Sequence, residues 1–211
     1  MTSAALPVLR TPRLTLRPPE STDADAITEG IGNYDVCKWL SSVPYPYPRE
    51  EAVRWLKKNV GSARQCWLIS EADRVVGCVS NEREFGFWLA RPVWRRGYAF
   101  EAGHTAINHW FSNPSAGNLL SGYFPGNERS AAALYALGFE NIAVNPHEAR
   151  ALGQTVDAQE LRLTREAWEA RQRPPAIFVF QRFPPFETNV PWIDVLGLSR
   201  VDFLGSLEPS E

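Results

Sequence analysis

Residues 87–102 of this chain read Phe87-Trp88-Leu89-Ala90-Arg91-Pro92-Val93-Trp94-Arg95-Arg96-Gly97-Tyr98-Ala99-Phe100-Glu101-Ala102. The segment begins as an apolar, strand-like run that Pro92 ends, and it continues into a helix whose apolar residues keep helical spacing to about Phe111. Gly97 and the small Ala99 allow a ligand to approach the backbone where the helix starts and its first N–H groups lack partners. These donors and the helix dipole favour an anion. The segment therefore predicts a phosphate-binding turn between a strand and a helix.

Strand-like and helical patterns alternate on both sides of this turn. The predicted strands cover residues 14–17, 66–69, 74–79, 84–89, 118–124, 139–144 and 160–163. A helix is predicted from Pro48, taken as its first residue, to Gly61. Short polar connections between the middle strands indicate an antiparallel meander. The order predicts an α/β (α+β) domain with one mixed, mostly antiparallel central sheet flanked by helices.

Composition excludes several classes of protein. With 211 residues, 44% of them hydrophobic, the chain can bury a core without disulfides or metals. A net charge of -2 argues against nucleic-acid binding, which needs a basic face. The three cysteines Cys37, Cys66 and Cys78 suggest free buried thiols and no metal site. Neither a signal peptide nor a membrane-spanning run is visible, so we expect a soluble, cytoplasmic protein without membrane partners.

The C-terminal region differs from the rest of the chain. Residues 172–211 hold six of the 17 prolines, several aromatic residues and little periodicity. We therefore divide the chain into a domain at 1–171 and a proline- and aromatic-rich extension at 172–211. Exposed aromatic side chains are unfavourable in water, so the extension is expected to pack on the domain or on a twofold mate, which leaves a homodimer open.

A second informative segment follows about 30 residues after the phosphate turn. Asn127 has the character of a helix N-cap with Ser130 at the third helical position, and Gly138 suits the end of that helix. This segment, with Phe139, resembles motif B of the GNAT superfamily of N-acetyltransferases. Residues 87–102 resemble motif A of the same superfamily, in the form found among ribosomal-protein N-terminal acetyltransferases (RimJ/RimL type).

The resemblance covers about residues 10–171. The usual loop pattern is Gln/Arg-X-X-Gly-X-Gly/Ala; this chain has Trp94 at the first place and keeps Gly97 and Ala99. The resemblance implies that acetyl-CoA is the co-substrate, with its pyrophosphate on the turn and its pantetheine beside the strand. The implied cofactor-binding residues are Phe87, Trp88, Leu89, Trp94, Arg95, Arg96, Gly97, Tyr98, Ala99, Asn127 and Ser130.

Acetyl transfer to an amine needs a proton acceptor, an oxyanion donor and a proton for the leaving thiolate. By resemblance, Glu84 is the expected base, acting directly or through water, and Glu82 is a weaker competitor. Ser130 is the better candidate for the acid. Tyr135 is a further candidate, although the family's tyrosine stands one position earlier, and one helical residue is a rotation of about 100°.

The predicted function is therefore transfer of an acetyl group from acetyl-CoA to a primary amine, with a protein N-terminus as the favoured acceptor. A small-molecule amine (an antibiotic or a polyamine) and a non-catalytic CoA-binding module are the alternatives. The histidines His104 and His109, on the helix of the phosphate turn, are expected to pack or to be exposed. His147 is left without a role.

Overall fold

The computed structural model describes residues 6–82 and 84–172, and the bounds below refer to these residues. The strands are β1 (Leu9–Arg10), β2 (Thr15–Arg17), β3 (Cys66–Glu71), β4 (Arg74–Asn81), β5 (Phe85–Leu89), β6 (Leu119–Tyr123), β7 (Glu140–Ala149) and β8 (Gln154–Leu163). The helices are α1 (Ala24–Ile31), α2 (Tyr34–Cys37), α3 (Arg49–Asn59), α4 (Tyr98–Phe111), α5 (Glu128–Leu137) and α6 (Arg165–Gln172). Short 3₁₀ turns occupy Ser21–Asp23 and Arg91–Val93. The predicted extension, apart from residue 172, lies outside the described residues.

The strands form two antiparallel sheets. The first has the order β1-β2-β3-β4-β5, and the second has the order β6-β8-β7. The predicted α/β arrangement of mostly antiparallel strands flanked by helices is confirmed, and the structure adds that the strands divide between two sheets. The sheet divides between β5 and β6, which are joined through the crossover helix α4 and contact each other without forming a ladder. This division leaves room for a ligand between the two strands.

The main core lies where α4 and α5 cover the two sheets. Trp67, Phe85, Leu134 and Leu161 are each at most 1% exposed in this core. Gly103 brings α4 close to its neighbours, because a Cβ atom at this position would lie 2.8 Å from Leu137 Cδ1. The close fit fixes the start of α4 relative to β5, and thereby positions the predicted phosphate turn.

A second apolar cluster lies under the early helices. It contains Ile27, Leu56 and Leu68, from α1, α3 and β3. Gly30 allows α1 to approach Trp88 on β5, since a Cβ atom on Gly30 would lie 2.7 Å from that indole ring. The early helices are therefore packed directly on the far side of the strand that borders the gap between the sheets.

Element boundaries differ from the sequence prediction at several places. Pro48 caps α3, whose first residue is Arg49, and Glu84 lies just before β5. Strands β7 and β8 form a hairpin that is longer than predicted. The prediction depended on hydrophobic alternation, and these strands show little of it because many of their side chains are exposed. Among the described residues, no helix combines the length and hydropathy that a membrane crossing requires.

Candidate active site

A cavity of about 640 Å³ lies between the two sheets. Its walls come from β5, the turn at residues 94–97, the first residues of α4, strand β6 and the start of α5. All but one of the predicted cofactor-binding residues line it: Phe87, Trp88, Leu89, Trp94, Arg95, Gly97, Tyr98, Ala99, Asn127 and Ser130. The tertiary structure therefore brings the two predicted anchor segments, which are about 30 residues apart, to one cavity.

The turn before α4 has the backbone geometry of an anion-binding cradle. Arg95 (φ 62°) and Gly97 (φ 77°) are both left-handed. The first intrahelical hydrogen bond runs from the Glu101 N–H to the Gly97 carbonyl (3.1 Å), so the amides of residues 98–100 precede it. Successive free N–H groups at a left-handed turn and a helix start bind phosphate oxygens well. This cradle fits a pyrophosphate.

Arg96 does not line this cavity, contrary to its predicted place at the diphosphate. Its guanidinium is bound to the Glu71 carboxylate at 2.5 and 2.9 Å, and Glu71 also accepts a hydrogen bond from the Tyr98 hydroxyl. The bonds from Tyr98 and Arg96 hold the pKa of Glu71 below its ordinary value. Arg96 thus fastens the turn to the end of β3.

Two other arginines supply positive charge to the cavity. Arg95 is exposed and lines it, as predicted. Arg129 also lines it and stacks on the Trp94 ring at 4.1 Å from guanidinium carbon to ring centre. The Trp94 indole N–H is fixed by the Leu89 carbonyl (2.8 Å). Sequence reasoning missed Arg129; its place directly after the Asn127 cap, in the first turn of a helix, was the available signal.

Asn127 caps α5 as predicted. Its side-chain oxygen accepts the Ser130 backbone N–H (3.4 Å), and Gly138 ends the helix with φ 96°. Asn127 is buried and Ser130 is half-buried at the cavity wall. The cap therefore points the first turn of α5, with the Ser130 side chain, toward the gap between the sheets.

Tyr135 is not brought to the cavity. The side chain is 42% exposed, and its hydroxyl donates to Asn141 Oδ1 (2.9 Å). It also accepts from the Tyr123 hydroxyl at 2.9 Å, which raises the pKa of Tyr123 to about 12. Leu134, at the position where the family has its tyrosine, is fully buried in the core. The rotation of one helical residue explains why the catalytic prediction for Tyr135 finds no support.

A second cavity of about 450 Å³ adjoins the first. Gly86, Phe87 and Trp88 of β5 line both cavities, as do Leu40 and Ser41. Strand β5 therefore forms a wall that the two cavities share. Such an arrangement can bring two substrates together from different sides.

The two candidate carboxylates fall on different cavities. Glu84 is exposed and lines the first cavity just before β5. Glu82 lines the second cavity and is paired with Arg64. Each carboxylate therefore borders one of the two spaces.

His147, on β7, is half-buried and lines the first cavity. Its Nε2 atom lies 2.9 Å from Glu160 Oε1, and Asn145 donates to Glu160 Oε2 at 2.9 Å. These two bonds, first that of His147 and then that of Asn145, hold the pKa of Glu160 below its ordinary value. No local sequence pattern indicates this pair, because its members lie 13 residues apart across a hairpin.

The other two histidines pack as expected. His104 lies against Trp168, with ring centres 5.0 Å apart, and His109 meets the edge of Trp67 at 5.4 Å. Burial lowers the pKa of both imidazoles. Among residues 6–82 and 84–172, no three His, Cys, Asp or Glu side chains cluster in a way that could hold a metal ion.

Comparison with known proteins agrees with this geometry. The sequence profile of the acetyltransferase (GNAT) domain family matches residues 13–140, more than half of the chain. The uncharacterized N-acetyltransferase p20 of Bacillus licheniformis is 26% identical over 162 residues, which cover 71% of this chain and 91% of that protein.

Solved structures share the fold. The ribosomal-protein-S5-alanine acetyltransferase of Vibrio fischeri superposes with a TM-score of 0.66 at 18% identity, covering 77% of this chain and 98% of that one. RimL, a ribosomal L7/L12 α-N-protein acetyltransferase solved in complex with coenzyme A, superposes with a TM-score of 0.64 at 14% identity, covering 76% of this chain and 99% of that one. At such identities the likeness extends to the fold alone.

Proposed function

Since this chain belongs to the GNAT acetyltransferase family and is an acetyl-CoA-dependent acyltransferase, we propose that its acceptor is the N-terminal amino group of a protein. Acetyl-CoA supplies the acetyl group as an activated thioester. The remaining steps, binding the cofactor, admitting the amine and moving its proton, fall to the residues of the two cavities.

The observation that carries the proposal is the meeting of the two cavities along Gly86, Phe87 and Trp88. The cofactor cavity contains the phosphate cradle, so the second cavity is left for the amine. Backbone N–H groups of the shared strand lie where both spaces meet and would stabilise charge that develops on the thioester oxygen.

The lining of the second cavity supports a peptide acceptor. Its floor is apolar, with Ile31 and Leu68, whereas its rim carries the charged side chains of Glu51, Arg54 and Lys58. A terminal side chain can be buried on such a floor while the following peptide crosses the rim. The acceptors named for the two structurally similar ribosomal-protein acetyltransferases agree with this class of substrate.

The cofactor-binding roles follow the geometry of the first cavity. We infer that the amides after Gly97 hold the pyrophosphate and that Arg95 and Arg129 balance its charge. Asn127 orients the start of α5, and the Ser130 hydroxyl donates a proton or a hydrogen bond to the departing thiolate. A thiolate is a good leaving group, so a weak donor is sufficient.

Titration calorimetry with acetyl-CoA tests the cofactor site. Wild type is expected to bind at micromolar affinity, about -8 kcal/mol, and Gly97→Glu is expected to abolish binding by placing a carboxylate in the cradle. Gly61→Glu is the matched control, because Gly61 is also left-handed (φ 67°) and has open space around it. Equal loss of binding in both variants would mean that misfolding, and not the cradle, was being measured.

The acceptor class is tested with a panel of amines. Peptides with a free N-terminus, the same peptides with a blocked N-terminus, a polyamine and an aminoglycoside are incubated with acetyl-CoA and analysed by mass spectrometry. Acetylation of the free N-termini alone supports the proposal. Acetylation of the small amines in preference to every peptide would replace it by the small-molecule function.

We also propose that residues 1–171 suffice as the acetyl-transfer domain and that residues 172–211 pack on it or on a second copy. The proposal comes from the prolines and from aromatic residues such as Phe178, Phe180 and Trp192. Removal of residues 172–211 should lower the melting temperature or change the sedimentation coefficient. A truncated chain that keeps both values would disprove the packing.

A further inference from the structure

The pair formed by His147 and Glu160 has the geometry of an oriented imidazole. Both carboxylate oxygens of Glu160 are engaged, Oε1 by His147 Nε2 and Oε2 by Asn145 Nδ2, each at 2.9 Å. Because Glu160 is ionised at neutral pH, it can only accept hydrogen bonds, and the proton of neutral His147 must therefore reside on Nε2. The other ring nitrogen, Nδ1, keeps its lone pair.

One member of this pair, His147, lies at the wall of the cofactor cavity. His147 lines the cofactor cavity together with Leu40 and Ser41, which also line the second cavity. Arg150, three residues later in the chain, ties this wall together: its backbone N–H donates to Ser41 O (3.2 Å) and its guanidinium to Ser42 O (3.0 Å). The chain around His147 is thus attached to the loop that borders both substrate spaces.

We propose that His147, held in this tautomer by Glu160, accepts the proton of the acceptor ammonium group. The proposal rests on the proposed function and adds a catalytic residue to it, with Glu160 as a positioning residue. An imidazole suits this step, because its ordinary proton affinity lies close to that of an α-amino group, and proton transfer between matched groups is efficient.

The step balances without a further reactant. Nδ1 of His147 takes one proton from the ammonium group, and the freed amine nitrogen forms a bond to the acetyl carbon. The carbon–sulfur bond breaks with its electron pair on sulfur, and the amine loses its second proton as the amide forms. The thiolate is protonated, with Ser130 as the nearest proposed donor, and one proton in total passes to solvent.

Several charged groups contact His147 or line the same cavity. Glu160 faces it from β8, Glu84 lines the same cavity from the segment before β5, and Arg95 and Arg129 line it from the phosphate turn and α5. Glu160 is the partner in direct contact. Loss of this carboxylate removes the acceptor that holds the ring in its Nε2-protonated form.

The test compares pH profiles of kcat/KM for acetylation of a free-N-terminus peptide that the wild type acetylates. His147→Gln is expected to lower kcat/KM about 100-fold or more at pH 7 and to remove the acidic limb. Glu160→Gln is expected to lower kcat/KM about tenfold at pH 7. His104→Gln is the matched control, since His104 packs on Trp168 away from both cavities.

Two measurements besides activity accompany the profiles. Calorimetry should give His147→Gln the wild-type affinity for acetyl-CoA, within about threefold. Imidazole ¹⁵N spectra, in which the signal absent from His147→Gln identifies this residue among the three histidines, should show the Nε2-protonated tautomer. In Glu160→Gln the two tautomers should become mixed.

An acidic limb that persists in His147→Gln and disappears in Glu84→Gln would overturn the proposal in favour of Glu84. An Nδ1-protonated tautomer would overturn it too, because the lone pair would then face Glu160. If the wild type acetylates no amine at all, the proposed function fails and this inference falls with it. An active wild type with an unaffected His147→Gln variant contradicts the inference alone.

Discussion

The hydroxyl of Ser121 donates a hydrogen bond to the carbonyl oxygen of Phe85 at 2.7 Å, in a buried position between β6 and β5. The two strands do not form a ladder with each other, so a side chain makes a contact that a backbone amide would make in a continuous sheet. This bond joins the two sheets beside the cavity that their separation creates. The two sheets are therefore joined at the same place where the cavity opens between them.

Ser121→Ala should therefore destabilise the domain. The change removes a buried donor and leaves the Phe85 carbonyl without it, which should lower the free energy of unfolding by about 1–2 kcal/mol. Urea denaturation followed by tryptophan fluorescence measures this directly. Ser112→Ala is the control: Ser112 also donates to a carbonyl at 2.7 Å, that of His109, but at an exposed position, so a change below about 0.5 kcal/mol is expected. Equal losses would contradict the joining role of Ser121.

The two neighbouring arginines of the phosphate turn should behave differently. Arg95→Gln removes a guanidinium that lines the cavity, and the Kd for acetyl-CoA should rise about tenfold, or about 1.4 kcal/mol. Arg96→Gln removes the partner of Glu71, so its Kd should change less than about threefold while its melting temperature falls. Calorimetry and thermal denaturation separate the two effects. A loss of affinity that is larger in Arg96→Gln than in Arg95→Gln would support the sequence-based prediction that Arg96 binds the diphosphate.

Glu71 should give stability that depends on pH. Hydrogen bonds from Tyr98 and Arg96 place its folded-state pKa below the ordinary value of 4.5. A lowered pKa of an acid means that its contribution is complete above the unfolded-state pKa and is lost as the pH falls through the folded-state pKa. The difference in melting temperature between wild type and Glu71→Gln should therefore be largest near pH 6–7 and shrink below about pH 4.5.

Glu148→Gln provides the control for this series, because Glu148 is an exposed carboxylate on β7. Its melting curve should follow that of the wild type throughout. A Glu71→Gln difference that stays constant down to pH 3 would show that the pair with Arg96 does not act through the ionised carboxylate.

The three cysteines should be unreactive in the folded protein. All are buried; burial raises the pKa of the Cys37 thiol, and the hydrogen bond to Cys66 followed by burial raises that of Cys78. Reaction with a disulfide reagent at pH 7.5 should be at least about 100-fold slower than in 6 M guanidinium, because the thiolate is scarce and shielded. Three thiols should then be titrated in the denatured chain. Rapid modification of even one thiol in the native protein would show that the structure around this thiol opens and exposes it to the reagent.

Local sequence patterns were sufficient to predict the turn before α4 and the cap of α5. Gly97 is left-handed and begins a helix, and Asn127 accepts the amide of Ser130, because glycine conformation and capping depend on a few adjacent residues. Tyr135 shows the limit of motif comparison. A shift of one residue along a helix turned a candidate acid toward Tyr123 and Asn141 and away from the cavity.

The sequence by itself determined the order of strands and helices, the glycine turn before α4 and the family, since each depends on residues close together in the chain. The tertiary structure decided which charged side chains line the cavity between the sheets. Arg96 turns to Glu71, 25 residues earlier, and Arg129 meets Trp94 across the cavity. His147 is oriented by Glu160, which lies 13 residues later on the neighbouring strand. The two sheets are joined beside the cavity by the bond from Ser121 to Phe85, which spans 36 residues. Such contacts follow from how distant segments pack, and no local pattern records the direction in which an exposed side chain will find its partner.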